Sequence, residues 1–161
     1  MNPYFEVVDR LRIPAERYRA AHSMSAGGRG ARENRGKQLP SDKIDALIWG
    51  LSHQSPVVRR CCLELLDQHP DPRAVPYILK SLEDPVPRVR WHAVHALLCD
   101  ACKAGGSFLT SDVAAKLQRV AEHDPSPKVR NYATQALSGR GAAERGVSLV
   151  SDPGRAPAGR R

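Results

Sequence analysis

The chain has 161 residues, enough for one domain, and carries 25 Lys and Arg against 17 Asp and Glu, a formal net charge of +8. Twelve glycines, thirteen prolines and a mean hydropathy of −0.46 imply that part of it joins no packed core. No apolar run approaches the roughly 18 residues of a membrane span or makes a signal-peptide core, and neither a phosphate-cradling G-x-x-x-x-G-K-(S/T), a G-x-S-x-G nucleophile turn nor an H-E-x-x-H motif occurs.

Residues 4–11 and, after Pro14, 15–21 are predicted to be short helices, with Tyr4, Val7, Val8 and Leu11 forming a small apolar face that docks on the first of the longer helices. A mitochondrial-type presequence is the alternative, but Glu6, Asp9 and Glu16 argue against it, because such peptides are poor in acids. The expected location is cytoplasmic. Residues 23–40 form a basic linker rich in Gly, Ser and Arg, with almost nothing to bury. Residues 1–40 carry eight Lys and Arg against four acids, residues 41–137 twelve against eleven, and residues 138–161 five against two. The division is therefore a basic N-terminal segment (1–40), a nearly neutral helical domain (41–138) and a disordered basic tail (139–161).

Three helical hairpins are predicted in the middle part. The first pairs a helix over 42–51, bearing Ile44, Ala46, Leu47, Ile48 and Trp49, with one starting at Pro56. The second opens near Pro72 or Ala74, with Pro76 tolerated in the first turn, and its partner starts at Pro87. The third opens at Ser111 and Asp112, after a connector over 101–110 whose Phe108 and Leu109 fold back on the stack, and its partner starts at Pro127. Each second helix begins P-x-V-R, and the three starts are 31 and 40 residues apart, a period typical of stacked helical repeats. Proline suits the first helical position, and Ser55 and Ser126 are placed to cap free amides, whereas Val86 is not. Small residues recur on the packed face, as in Val89, Ala93, Ala96 and Leu97, with Cys62 in the alanine's place in the first copy. An Asp-to-Arg ladder between repeats is expected from Arg59, Asp84, Arg90, Asp124 and Arg130, with His53 standing where the first acid would be.

The pattern D-x-x-P-x-V-R-x-x-A-x-x-A-L, clearest over residues 84–97, resembles HEAT repeats, in particular the short bacterial kind grouped with phycobilisome-lyase-type HEAT proteins. The likeness spans about residues 41–137 and implies an all-α fold, a short α-solenoid of about three hairpins; His53 and the longer second spacing are departures from it. It is specific for fold and nearly silent on function. Iron-dependent hydroxylases of this kind use repeated His-Glu dipeptides, which this chain lacks, Glu122-His123 being the reverse. The bilin lyases are longer, so their activity is carried to no residue here, and no enzyme activity is expected.

The resemblance implies a non-catalytic scaffold or adaptor that binds a protein partner of unknown identity. Its second-helix surface presents Arg60, Cys61, Glu64, Arg88, Trp91, His92, His95, Tyr132 and Gln135, with Trp91 and Tyr132 as anchors and Arg88 for an acidic group. Trp91 as half-buried packing is the competing assignment. Weak nucleic-acid contact through the basic tails is one alternative, limited by the lack of interleaved aromatics for base stacking. A metal role is the other. His92, His95, Cys99 and Cys102 lie within an arc of about 80° on one helix, and His95, Cys99 and Cys102, with His123 or another residue as fourth ligand, are the set that one zinc or iron ion selects. Against it, cysteines are often small inert hydrophobes.

Overall fold

The computed structural model describes residues 2–25, 38–99 and 108–144, with side chains to residue 138. The expected linker and tail, and Cys102, fall largely or wholly outside these residues. The N-terminal segment makes α1 (Tyr4–Asp9), a 3-10 turn and α2 (Arg17–Met24). The repeats follow as α3 (Ser41–Gly50) with α4 (Pro56–Gln68), α5 (Val75–Lys80) with α6 (Pro87–Leu98), and α7 (Ser111–His123) with α8 (Pro127–Glu144). The described residues contain no strand. The chain is an all-α short solenoid of three hairpins.

The spacing of apolar residues decides which face each helix buries. On α4, Val58, Cys61, Cys62, Leu65 and Leu66 recur at helical intervals and are all buried; Val89, Ala93, Ala96 and Leu97 do the same on α6, and Val129 and Ala133 on α8. Cys62 is fully buried beneath Gly50, where any Cβ would collide with its Sγ and come 2.8 Å from Val8 Cγ1. Only glycine allows α1 and α4 to close on α3 at that point. Val8, Leu11, Ala20 and Met24 of the N-terminal helices are buried in the same core as the repeats, and Phe5 stacks on Trp49 with ring centroids 4.9 Å apart.

Three local expectations need correction. Ser55 is the N-cap of α4, but its hydroxyl does not cap the helix; instead its own N–H donates to His53 Nδ1 at 3.0 Å. The same device starts the other two second helices, with Val86 N–H donating to Asp84 Oδ1 and Ser126 N–H to Asp124 Oδ1, each at 2.8 Å. The capping acceptor thus stands two residues before the cap, and His53 fills it in the first repeat. The second repeat's opening helix is not continuous: α5 has six residues between 3-10 turns at Pro72–Ala74 and Ser81–Glu83. Asp71 captures the Arg73 amide at its start, and the Ser81 hydroxyl donates to Tyr77 O at its end, a local bond that competes with the helical ladder. Finally, α8 runs to Glu144, six residues into the stretch expected to be unfolded. Gly139 and Gly141 weaken a helix by about 1 kcal/mol each relative to alanine but do not block elongation as proline does.

The arginines connect successive repeats. Arg59 holds Asp84 through Nε and Nη2 at 2.6 and 2.9 Å, and Arg90 holds Asp124 the same way at 2.7 and 2.8 Å. The remaining nitrogen, Nη1, donates to the backbone of the arginine's own repeat: Arg59 to His53 O, Arg90 to Asp84 O and Arg130 to Asp124 O. Arg59 and Arg90 therefore each pair with the acid of the next repeat rather than with the residue six positions before, while Arg130, in the last repeat, keeps only its bond to Asp124 O among the described residues. At the N-terminal end His53 Nε2 donates to Asp9 Oδ1 at 3.1 Å, its other ring nitrogen being committed to Ser55, so the ladder continues into the N-terminal helices. Phe108 turns back on the stack as expected, donating its N–H to Leu97 O at 3.2 Å.

Candidate functional site

The second helices α4, α6 and α8 lie side by side, and the residues expected on their surface meet at its centre. Trp91 and Tyr132 have ring centroids 4.5 Å apart; His95 stacks on both, at 5.5 and 6.1 Å, and His92 meets Trp91 edge-on at 4.9 Å. All four are half-buried, so Trp91 is both packed and accessible. Glu64 on α4 is paired with Arg60 one turn before it, and its carboxylate lies 3.5 Å from His92 Nε2. Arg88 and Gln135 are exposed at the margins.

Two depressions flank the rings. One, of about 500 Å³, is lined by Pro87, Arg88, Trp91, His92, Ser126, Lys128 and Val129 and contains no carboxylate. The other, of about 270 Å³, is lined by Leu63, Glu64, Asp67, Gln68, Trp91, His92 and His95. Trp91 and His92 are the wall between them. A further cleft of about 590 Å³, at the edge where first helices run into second helices, is lined by Arg90 and Asp124, which are already bound to each other.

Cys61 does not belong to this surface. It is 5% exposed, and burial, with Glu64 adding to it, pushes its thiol up; Cys62, fully buried, is pushed well above the usual range. Neither is poised as a nucleophile. The helix α6 ends at Leu98 and Cys99 is an extended cap residue, so the expected His95–Cys99 part of the stripe sits at an unwound helix end, and Cys102 lies outside the described residues. His123 is exposed at the end of α7, 3.7 Å from Glu122, at the opposite edge of the stack from Cys99, and does not join His95 and Cys99. The structure brings Asp67 to them instead: Asp67, His95 and Cys99 offer ligand atoms within 4.8 Å of one another. Asp67 was open to detection, since the 31-residue register aligns it with Leu98, a core position, where an acid is out of pattern. Lys128, missed as well, gave no such signal.

Burial lowers the His92 pKa to about 4, with Arg60, His95 and Arg88 acting in the same direction, while Glu64 is engaged by Arg60. His92 is thus neutral at pH 7 and resists protonation. Between its unfolded value near 6.5 and about 4, the unfolded chain binds a proton that the folded chain refuses, so stability falls as pH drops through that window. We expect denaturant titrations at pH 7 and pH 4.5 to show a loss of which about 2 kcal/mol disappears in His92→Gln.

Among known families, residues 44–138 match HEAT repeats. Searches of curated proteins and of solved structures return no match. The matched span is more than half of the chain and coincides with the three hairpins joined by the arginine ladder: the chain belongs to the HEAT-repeat family.

Proposed function

We propose that this chain is a non-catalytic scaffold that receives an acidic segment of a partner protein in the groove between α6 and α8, with Trp91, backed by the Tyr132 ring stacked on it, as its apolar anchor. HEAT repeats are typically protein-interaction scaffolds and typically non-catalytic, which supports the class. The observation that carries the reading is the depression beside Trp91. Arg88 and Lys128 give it two cations and no lining residue gives it an acid, so it suits an aspartate or glutamate next to an aromatic or long aliphatic side chain. Rings already stacked on one another lose little side-chain freedom on binding, and large aromatic anchors are the residues that dominate interface energies.

Peptide-display selection on the full chain tests this. The enriched sequences are expected to combine acidic residues with an aromatic or aliphatic anchor. Arg88→Glu/Lys128→Glu, exposed and remote from the core, should weaken the selected peptides at least about tenfold, and Trp91→Ala about thirtyfold. Lys116→Glu/Arg119→Glu, on the other edge, should leave them unchanged. Selection of peptides without acids, or equal binding by the Arg88/Lys128 variant, would overturn the proposal.

A further inference from the structure

We infer that Asp67, His95 and Cys99 form a zinc site at the end of α6. This goes beyond the binding groove, using different residues and a different ligand. Three elements of the fold create it. Asp67 lies in the last turn of α4, where the crossing with α6 buries its side chain to 8% exposure. His95 stands one turn from the end of α6, and its stacking on Trp91 and Tyr132 sets the plane of the imidazole so that Nδ1 lies 3.3 Å from Asp67 Oδ2. Cys99 ends the helix: its N–H still donates to His95 O at 2.9 Å, its backbone is already extended, and its half-buried thiol lies within 4.8 Å of the other two donors.

The spacing fits the metal. Zinc bonds of 2.0–2.2 Å to nitrogen and oxygen and about 2.3 Å to sulfur, arranged tetrahedrally, put ligand atoms about 3.3 to 3.6 Å apart. The His95–Asp67 distance already has that value and is long for a charge-assisted hydrogen bond of about 2.7–2.9 Å. The largest separation in the trio is at most 4.8 Å, and side-chain rotation of Cys99 by about 1 Å closes it. Carboxylate, imidazole and thiolate together select a borderline cation such as zinc over magnesium or calcium, and a divalent ion offsets the charge of a carboxylate held inside the protein. The depression of about 270 Å³ that Asp67 and His95 share gives the ion a route in, and water or a further donor completes its fourth position. Among the described residues no other three such donors come this close. The site differs from the set expected from sequence in taking Asp67 where Cys102 was assigned.

The test uses the full chain, freed of any tag and titrated with zinc chloride against a chromophoric chelator, so it requires no partner and is independent of the groove proposal. Uptake of about one zinc per chain is expected, with Cys99→Ala and Asp67→Asn each weakening it at least about 100-fold and Cys102→Ser changing it less than about threefold. Since Asp67→Asn alters a buried residue, circular dichroism accompanies it, and cobalt substitution supplies a readout independent of that variant. The cobalt-loaded protein should show a thiolate-to-metal charge-transfer band that Cys99→Ala removes and Cys102→Ser keeps. No stoichiometric uptake, or a band lost in Cys102→Ser and kept in Cys99→Ala, would overturn the site.

Discussion

Asp124→Ala is expected to lower the stability of the folded chain by about 3–5 kcal/mol, the usual loss when one partner of a buried ion pair is removed. The Arg90 and Asp124 side chains are only 9% and 3% exposed, and two parallel bonds join them. Removing the acid leaves the buried guanidinium with backbone carbonyls as its remaining hydrogen-bond partners and only the more distant Asp84 carboxylate, itself held by Arg59, for its charge; it also deprives Ser126 N–H of its acceptor at the start of α8. Arg90→Met should destabilise similarly, and the double variant Arg90→Met/Asp124→Ala should lose clearly less than the two singles together, because neither charge is then left alone. Equal, additive and small losses in urea titrations would show that the ladder is incidental. The pair Arg10–Glu6 makes a useful control: its 2.6 Å contact is as short, but both side chains are more than half exposed, and its removal should leave the melting temperature unchanged. Asp124 also sets an acid limit. Burial alone would raise its carboxyl, but the bonds from Arg90 and Ser126 and the charges of Arg90 and Arg130 hold it below the usual carboxylate range. With the folded value depressed, its contribution is present above the unfolded value, near 3.8, and fades as pH falls below it; Asp124→Asn should flatten that part of the profile.

Leu11→Ala should cost about 2–5 kcal/mol although it lies outside the family match, because it is fully buried against the first repeat. Deleting residues 1–25 should do more. It uncovers the surfaces of α3 and α4 that Val8, Leu11 and Met24 now cover, each of which contributes about 1.5–3 kcal/mol when buried. Three hairpins are about the minimum for a stable stack, so the fragment from residue 26 onward is expected to melt without a cooperative transition in circular dichroism. A sharp, unchanged melt would mean that the first two helices are an appendage rather than the end cap of the solenoid.

Particular residues show how far each level of information reaches. The P-x-V-R starts at Pro56, Pro87 and Pro127 were readable because proline and the apolar spacing after it act within one turn of chain. The participants of the arginine ladder and its running between repeats were readable too, but not which acid each arginine takes: Arg59 reaches Asp84, and Arg90 reaches Asp124, across 25 and 34 residues. That choice depends on which repeat lies over which, and sequence spacing carries no such information. Cys61 falls in the same register as His92, yet α4 is flanked by α2 as well as by α6, and the additional neighbour buries it. Asp67 is the converse case, a residue whose partners at His95 and Cys99 exist only because α4 and α6 cross where they do.

The amino-acid sequence by itself determined the helices, their repeat, the all-α solenoid and the family, since all of these rest on interactions spanning a few residues and repeated three times. The docking of the N-terminal helices was expected from Val8 and Leu11, but only the tertiary structure decided that Ala20 and Met24 join the same core, that Trp91, His95 and Tyr132 share one stack, and that Asp67 faces His95 and Cys99. Those juxtapositions are set by how neighbouring helices pack, which depends on the shapes of buried residues such as Gly50 and Cys62 and not on the pattern along any one helix.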